Sequence, residues 1–337
     1  MSPTTYTRIV LRERPTGAAT PFHFRVERAP LDLHPQAGEV LVKTLYLSLD
    51  PHARRWLNPE PGHFAPIQVG DVVRSFGLGV VVEAGAGSSL KVGDLVDGLV
   101  GWTEYGVHDA KALQKVDIPQ GCDPVDLLGP LGTTGLTAYF GLFDVAHLKA
   151  GETLVVSGAA GATGNVVCQL AKRAGARVVA IAGGPEKCAW LERELGVDKA
   201  IDYKSASFRA DFAAVAPKLD VYFDNVGGEI LDLALTQLNR GARVILCGAT
   251  SEYNSKPKGI TNYFQLVMAR ATMKGFLIFD YESRYAEGRA DLVKVIHEGK
   301  LKSQFHVVEG IENTPEAFQL LFSGGNTGKL VVKVIDL

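Results

Sequence analysis

Short apolar strand patterns alternate with helical patterns from about Gly151 onward, and this alternation restricts the fold more than any other feature of the sequence. The strand patterns include "TLVVSG", "RVVAIAGG" and "LDVYFDN", and the helical patterns include "NVVCQLAKRAG" and "PEKCAWLERELG". Alternation of this kind is typical of βαβ units, which build a parallel sheet with right-handed crossovers. We predict that Pro185 occupies a first helical position and that three glycines follow helix ends, namely Gly175, Gly196 and Gly241.

The N-terminal part of the chain has a different pattern. It contains strand-like runs such as "EVLVKTLYLSLD" and "GLGVVVEAGAG", separated by Gly and Pro, and almost no long helical period. The C-terminal segment returns to strand, helix and strand, with Thr314 and Pro315 opening its helix, and we expect it to fold back on the first part. Because single cores rarely serve so long a chain, the 337 residues with 46% hydrophobic content predict two domains of an α/β protein.

Charge and hydropathy exclude several classes of protein. The formal net charge is −2 and the pI is about 6.5, so no basic excess favours nucleic acid or an anionic membrane as a partner. The first residues are charged and lack the apolar core of a signal peptide. The uncharged stretch 127–143 is interrupted by Pro130 and four glycines, which argues against a membrane span. We expect a cytoplasmic protein.

The cysteines do not form a metal-binding or disulfide pattern. They stand at least 20 residues apart, with no CxxC pair and no histidine at a metal-ligand interval. Three of them lie in apolar helix or strand patterns, where cysteine behaves as a small hydrophobe. We predict core thiols and no metal site. The four are Cys122, Cys168, Cys188 and Cys247.

A glycine-rich turn joins the first strand of the alternating region to the helix that follows. Gly158, Gly161 and Gly164 in "SGAAGATG" have the spacing GxxGxxG, with Ala160 just before the middle glycine. Small residues at such a turn let the backbone approach a pyrophosphate, and the helix N-terminus offers unpaired N–H groups. With four further βα alternations after it, we interpret the turn as a dinucleotide site; the alternative is a tight structural turn.

The end of the second strand of this region favours NADP(H). An NAD-preferring site usually carries Asp or Glu there, where the carboxylate binds the ribose 2′-OH. In this sequence the strand ends in Gly183 and Gly184, and Lys187 follows in the first turn of the next helix. A lysine there can bind a 2′-phosphate. The alternatives are that Lys187 is only a solvated helix residue and that Glu186 beside it opposes a phosphate.

Motifs along the whole chain resemble the zinc-independent medium-chain dehydrogenase/reductases of the leukotriene B4 12-hydroxydehydrogenase, prostaglandin reductase and alkenal double-bond reductase group. The resemblance implies a GroES-like catalytic domain (1–127 and 301–337) and a Rossmann doubly wound NADP(H)-binding domain (128–300). It also implies a homodimer through Rossmann edge strands and NADPH-dependent reduction of the carbon–carbon double bond of α,β-unsaturated aldehydes and ketones. The segments that carry it are "GAAGATGNVVCQLAK", "GGPEKCAWL", "IDYKS", "FDNVGG", "LSLDPHARRWL" and "LGTTGLTAYFGL".

The same resemblance implies positions around the cofactor. Lys187 and Tyr203 flank the 2′-phosphate, Asn225 and Asn326 lie beside the ribose and nicotinamide, and Tyr253 lies near the nicotinamide ribose. Each has an ordinary alternative: Tyr203 as a strand-end aromatic, Asn225 as a turn residue and Asn326 as a hairpin residue. The remaining predicted cofactor contacts are Gly158, Ala160, Gly161, Ala162, Thr163, Gly164, Gly183, Cys247, Phe276 and Ile278.

The segments "DPHARR" and "GFLIFDY" are expected to lie near the substrate and the nicotinamide. The family's "DPYMR" reads "DPHARR" here, so His52 and Ala53 replace an aromatic and a methionine at the substrate entrance, and we place His52, Arg54 and Tyr253 at the substrate pocket. For His52 we favour a solvent-facing loop, with donation to a substrate oxygen as the alternative. The segment "GFLIFDY" (275–281) predicts a strand that brings Phe276 and Ile278 near the nicotinamide, although a core strand would also explain it.

Reduction of an enone without a metal needs a hydrogen-bond donor at the carbonyl oxygen, where negative charge develops. The Tyr253 hydroxyl can donate directly or hold the ribose 2′-OH in a donating position, so Tyr253 is the predicted catalytic residue. Compared with the zinc alcohol dehydrogenases of the same superfamily, the chain has only Cys122 before residue 150 and reads "QVGDVVRS" where their Gly-His-Glu motif is expected, which argues against a zinc-dependent alcohol dehydrogenase. Two other functions stay open, an NADPH quinone reductase of the same superfamily and a nucleotide-binding protein without turnover.

Overall fold

The computed structural model describes residues 3–60, 62 and 64–336. Several 3-10 helices join the main elements, including Pro51–Leu57, Thr250–Glu252 and Ile278–Arg284. The strands are β1 (Thr5–Leu11), β2 (Phe24–Pro30), β3 (Glu39–Ser48), β4 (Gly77–Ala84), β5 (Leu95–Gly98), β6 (Tyr105–Asp109), β7 (Leu113–Lys115), β8 (Thr153–Val156), β9 (Arg177–Ala182), β10 (Lys199–Asp202), β11 (Leu219–Asp224), β12 (Leu238–Leu246), β13 (Thr272–Gly275), β14 (Phe305–Glu309) and β15 (Lys329–Lys333). The α-helices are α1 (Thr133–Phe140), α2 (Ala162–Arg173), α3 (Pro185–Leu195), α4 (Phe208–Val215), α5 (Gly228–Ala234), α6 (Phe264–Ala269), α7 (Tyr285–His297) and α8 (Thr314–Ser323).

The chain divides into two compact units. The first contains the described residues up to Leu128 together with those from Phe305 onward, and the second is Gly129–Gln304. The first unit is therefore assembled from both ends of the sequence.

A seven-stranded sheet forms the centre of the first unit. Its strand order is β14-β15-β3-β4-β5-β7, and β6 also pairs with β3. The strand β15 runs antiparallel to β3, with Val331 opposite Ser48, so the C-terminal segment contributes a strand to the sheet. Helix α8 adds Phe318 to the core, where its ring lies 5.7 Å from that of Trp102. Both termini are thus needed to complete one hydrophobic core.

Six parallel strands form the sheet of the second unit, in the order β10-β9-β8-β11-β12-β13. Its central strands are buried on both faces and are almost continuously apolar, as expected for parallel sheets covered by helices. The strand order reverses at β8, and the carboxyl ends of strands at such a reversal are where open α/β sheets bind ligands. The predicted α/β class, with a β-rich unit and a Rossmann-type parallel-sheet unit, is confirmed.

One of the three predicted glycine caps is wrong. Gly196 follows α3 in a left-handed conformation and Gly175 follows α2 with positive φ, as predicted. Gly241 instead lies inside β12 with a φ of +78°, because α5 ends early and the strand begins at Leu238. The register between β11 and β12 shifts at this point, so the glycine serves a β-bulge.

Two further expectations from the sequence concern the cysteines and the absence of a membrane span. Cys168 is fully buried, but Cys122, Cys188 and Cys247 are only partly buried, so the prediction of core thiols is right for one cysteine and wrong for three. In the part of the chain that the structure describes, every helix is too short or too polar to cross a bilayer.

Candidate active site

The glycine-rich turn connects β8 to α2 at the carboxyl edge of the parallel sheet. Gly158 has a φ of +57°, and its carbonyl oxygen accepts the N–H of Gly161 at 2.9 Å. A Cβ atom at Gly164 would lie only 2.3 Å from the Gly158 carbonyl oxygen, so glycine is required for the helix to pack this closely on the turn. The predicted contacts Ala162 and Thr163 occupy the first turn of α2, and Ala160 is buried beneath the turn. The turn therefore presents the N–H groups of a 12-residue helix.

The ends of the next two strands place Gly183 beside Tyr203 and Lys204. A Cβ atom at Gly183 would lie 2.8 Å from Cε1 of Tyr203 and 3.0 Å from Cε of Lys204. The Asp202 carboxylate ties the two strand ends together, since its Oδ1 accepts the N–H of Gly184 at 2.8 Å and that of Lys204 at 2.9 Å. Glycine at position 183 thus lets the Tyr203 ring and the Lys204 side chain pack directly against the backbone that follows β9.

The electrostatics of this pair of strand ends suit an anion. Burial lowers the pKa of Lys187, and the positive charge of Lys204 lowers it further. Two ammonium groups that repel each other in the protein would both be stabilised by a phosphate between them. The positive charges of Lys204, just after β10, and Lys187, in the first turn of α3, therefore fit a 2′-phosphorylated dinucleotide.

Asn225 and Tyr253 lie in the loops that follow β11 and β12. The Asn225 side chain donates from Nδ2 to the Ser157 carbonyl oxygen at 2.7 Å. The Tyr253 hydroxyl accepts the N–H of Ala249 at 3.2 Å, a bond that uses an oxygen lone pair and not the hydroxyl proton. A Cβ atom at Gly248 would lie 3.1 Å from the Asn225 carbonyl oxygen and 3.4 Å from the Tyr253 hydroxyl, so the structure brings these two predicted residues together.

Cys247 lies in the same group of loops and is chemically quiet. Its N–H donates to the Asp224 carbonyl oxygen at 2.9 Å. Burial, together with the negative charge of Asp224, raises the pKa of the Cys247 thiol to about 12. Since the thiolate is the reactive form of cysteine, this residue can line a site but has no reactivity of its own.

The predicted strand over 275–281 is wrong. The strand β13 ends at Gly275, because its partner β12 ends at Leu246, opposite that residue. Ile278 begins a 3-10 helix, and the Phe276 ring lies 6.5 Å from the ring of Phe223 in an edge-on arrangement. Both predicted contacts therefore lie just beyond the strand.

Within the first unit, His52 and Arg54 lie on the 3-10 helix Pro51–Leu57. His52 is not solvent-facing as predicted, because its ring packs edge-on against Trp56 at 5.0 Å. Its Nε2 atom is inaccessible and has no hydrogen-bond partner among the described residues. Burial lowers the pKa of His52, the charge of Asp50 opposes this, and the charge of Lys329 adds to it. The imidazole is therefore held neutral.

The other two predicted residues of this unit make structural contacts. The buried Arg54 guanidinium donates to the carbonyl oxygens of Pro15 and Gly17, at 3.2 and 2.6 Å, and fixes that turn. Asn326 precedes β15 and donates to the Gly328 carbonyl oxygen at 3.0 Å.

Sequence reasoning missed a buried ion pair near His52. The Lys329 ammonium lies 2.6 Å from Oδ1 of Asp50, and the Ser48 hydroxyl donates to Oδ2 of the same carboxylate. Nothing local distinguishes Lys329 from a surface lysine, because its partner lies at the other end of the chain. Asp224 was also missed. A charged residue directly after the apolar run "VYF" is nevertheless a recognisable signal.

Among residues 3–60, 62 and 64–336 there is no group of three or more His, Cys, Asp or Glu side chains that could hold a metal ion. The fold and this edge of the sheet define a two-domain oxidoreductase with a dinucleotide-binding unit.

Comparison with known proteins identifies the family. Residues 7–116 match the family model described as the N-terminal domain of oxidoreductase, and residues 162–294 match the one described as zinc-binding dehydrogenase. A putative NADP-dependent oxidoreductase of Bacillus subtilis is 43% identical, covering 98% of each chain. The NADPH-dependent curcumin reductase of Escherichia coli is 39% identical, covering 97% of this chain and 96% of that protein. The chain belongs to the zinc-independent medium-chain dehydrogenase/reductases, in the group of NADP-dependent oxidoreductases predicted from its motifs.

A solved structure supports this assignment. The CurA protein of Vibrio vulnificus, whose structure was determined in complex with NADPH, is 38% identical, with a TM-score of 0.92 over 98% of this chain and all of that one. The predicted family and the predicted use of NADPH by its members are confirmed.

Proposed function

We propose that this protein uses NADPH to reduce the carbon–carbon double bond of α,β-unsaturated aldehydes and ketones. The observation that carries the proposal is similarity over nearly the whole chain to reductases named for such substrates. Besides the curcumin reductase, a 2-alkenal reductase of Nicotiana tabacum is 36% identical over 97% of this chain, and the bovine prostaglandin reductase 1 is 38% identical over 91% of it. Curcumin and 2-alkenals both contain a double bond conjugated to a carbonyl group.

The residues of the second unit are given these roles in the proposal. The glycine-rich turn and the N-terminus of α2 bind the pyrophosphate, and Lys187, Tyr203 and the backbone at Gly183 bind the 2′-phosphate. Asn225, Cys247, Phe276 and Ile278 lie beside the ribose and nicotinamide. When bound, NADPH supplies the hydride.

Tyr253 is the proposed catalytic residue. Reduction at the β-carbon of an enone develops negative charge on the carbonyl oxygen, which needs a hydrogen-bond donor already in position. The Ala249 N–H holds the Tyr253 oxygen at 3.2 Å, so the hydroxyl is oriented before substrate arrives. It can donate to the carbonyl oxygen itself or to the ribose 2′-OH that does so.

In the first unit we propose that His52 lines the substrate pocket and that Arg54 supports it through the turn at residues 15–17. Asn326 is proposed to lie beside the nicotinamide. The neutral His52 imidazole can donate from one nitrogen and accept at the other, which suits a polar group on a substrate. A homodimer and a location in the cytoplasm remain predictions from the sequence.

The test is a substrate panel followed by NADPH consumption at 340 nm, with 2-alkenals, a conjugated ketone and a quinone. We expect turnover with the conjugated carbonyl compounds, and a product reduced at the double bond and not at the carbonyl. Turnover with the quinone alone would instead assign a quinone reductase. NADPH binding without turnover on any of them would leave only a nucleotide-binding protein.

A further inference from the structure

Asp224 is a buried carboxylate at the carboxyl end of β11. It is fully shielded from solvent, and its acceptors are filled by neutral donors. Oδ1 accepts the Ser157 hydroxyl at 2.7 Å and the N–H of Val226 at 3.1 Å, while the N–H of Gly227 lies 3.1 Å from both carboxylate oxygens. Burial raises the pKa of Asp224 and the hydrogen bonds oppose that effect. An apolar side chain would cost less in such a place, so the carboxylate calls for an explanation.

Ser157 connects Asp224 to the glycine-rich turn. Its hydroxyl donates to Asp224 and accepts the N–H of Asn225 at 2.9 Å, so both of its hydrogen-bonding capacities are used. The Asn225 side chain returns to the Ser157 carbonyl oxygen at 2.7 Å. Ser157, the first residue of the turn after β8, therefore makes one of these hydrogen bonds with the last residue of β11 and two with the first residue of the loop that follows.

The loop after β12 joins the same network. The Asp224 carbonyl oxygen accepts the N–H groups of Cys247 and Gly248, at 2.9 and 3.0 Å. Further along, Thr250 Oγ1 donates to the Asn225 carbonyl oxygen at 2.9 Å, and Ser251 Oγ donates to that of Val226 at 2.7 Å. The loops after the neighbouring strands β8, β11 and β12 are thus held as one unit.

We propose that the Asp224–Ser157 pair is a positioning element that fixes these three loops in the geometry required for nucleotide binding. A site whose loops are already ordered does not spend binding free energy on ordering them. The proposal rests on the use of a nicotinamide dinucleotide and not on the identity of the enone.

The position of the pair in the sheet predicts which part of the nucleotide is affected. Gly183, Lys187 and Tyr203 follow β9 and β10, on the other side of β8 from β11 and β12. Disturbing the Asp224–Ser157 pair should therefore weaken contacts that NADPH and NADH share. Disturbing Lys187 should weaken the contact that only NADPH makes.

Isothermal titration calorimetry with NADPH and with NADH, in the absence of any enone, tests whether the pair affects the binding of both nucleotides. We expect Ser157→Ala to raise both dissociation constants by the same factor, roughly tenfold, which corresponds to about 1.4 kcal/mol. The matched control is Ser207→Ala, which removes an exposed serine hydroxyl that donates to Asp211 at 2.6 Å, and which should change neither constant. Amide hydrogen exchange of the nucleotide-free Ser157→Ala protein should be faster at residues 225–228 and 247–251.

Asp224→Asn provides a second variant of similar size, with a larger expected rise in both constants. Should it fail to fold, Ser157→Ala still decides, because it removes a single hydroxyl. If the dissociation constants of the Ser157→Ala variant stay within twofold of those of the unchanged protein, the proposal is overturned. This holds even if the variant unfolds at a lower urea concentration, because the pair would then contribute to stability alone. A rise for NADPH only would also overturn it. A protein that binds both nucleotides in this pattern but reduces no enone would contradict the proposed function and leave this inference standing.

Discussion

In the proposed reaction, the hydroxyl group of Tyr253 stabilises the carbonyl oxygen of the substrate. Its oxygen is held by a backbone N–H in a loop that the Asp224 network fixes, so its position depends on residues far away in sequence. The resemblance to the family identified Tyr253. The contacts that hold the loop around Tyr253 could not be derived from the sequence, since they come from β11 and the loop that follows it.

Tyr253→Phe should lower kcat on a 2-alkenal about ten- to a thousandfold, the usual effect of losing one oxyanion donor or a group that orients one. The dissociation constant for NADPH should stay within about twofold, because the ring still packs. Steady-state kinetics and calorimetry measure the two quantities. Tyr263→Phe is the control, since Tyr263 is exposed at 63% and lies outside the proposed site. Full activity of Tyr253→Phe would show that the donor has been misassigned.

His52→Ala should change the preference among substrates more than the maximal rate. Because the Nε2 atom of His52 is inaccessible, a polar substrate group would hydrogen-bond with His52 through Nδ1, a contact that a simple 2-alkenal does not make. We expect the ratio of kcat/KM between a hydroxylated conjugated ketone and a plain 2-alkenal to fall about tenfold. His34→Ala, at an exposed histidine, should leave this ratio unchanged. Loss of turnover on every substrate would instead make His52 catalytic.

At the scale of helices and strands, the sequence predicted the features that depend on a strong local pattern of residues. The turn between β8 and α2, the start of α3 at Pro185 and the start of α8 at Thr314 follow from glycine, proline and apolar periodicity. The 3-10 helix at 278–284 and the bulge in β12 could not be predicted. Both depend on where a neighbouring strand ends or slips, and that information lies in the pairing of β11, β12 and β13.

The first turn of α3 gives a prediction about pH. The pKa of Lys187 is lowered in the free protein, and a bound 2′-phosphate would raise it again by favouring the charged form. Binding of NADPH should therefore take up a proton at alkaline pH, and its affinity should fall as pH rises through the lowered pKa. The affinity for NADH, which lacks the phosphate, should not follow this fall. Calorimetric titrations between about pH 7 and 10 in buffers of different ionisation enthalpy measure both effects.

Lys187→Ala provides the control for this pH dependence. The variant should bind NADPH at least tenfold more weakly at pH 7, with little change for NADH, and the alkaline fall in the NADPH-to-NADH affinity ratio should largely disappear. Parallel changes for the two nucleotides would show that Lys187 is a surface lysine.

At the scale of the whole molecule, the buried pair of Asp50 and Lys329 joins the two ends of the chain within the first unit. Burial is the largest influence on the pKa of Asp50 and raises it, but attraction to Lys329 and His52 and the hydrogen bonds from Lys329 and Ser48 together outweigh burial and lower it. Lys329→Met leaves a buried carboxylate without its cation, so we expect a loss of about 3–5 kcal/mol in the free energy of unfolding of this unit, measured by urea denaturation. Lys302→Met, which breaks an exposed pair with Glu194, should cost at most about 1 kcal/mol. Equal effects would contradict a special role for the buried pair.

An exposed apolar surface on the second unit supports the predicted homodimer. Phe264, Val267 and Met268 on α6 are each about 60% exposed, beside the edge strand β13. Val267→Glu should convert a dimer to a monomer in light scattering after size exclusion, whereas Val82→Glu, at an exposed valine of the first unit, should not. A monomer in the unchanged protein would refute the prediction.

The pairing of β3 with β15 has a consequence for biosynthesis. The ribosome makes β3 early, yet the strand that pairs with Val331 and the lysine that neutralises Asp50 follow only after the entire parallel-sheet unit has been translated. A nascent polypeptide that has emerged from the ribosome only as far as residue 304 should therefore present a folded, protease-resistant middle segment while its earlier portion is still cleavable and accessible to chaperones. Release of the last strand, and not synthesis of the first, would then be the event that closes this protein's N-terminal core.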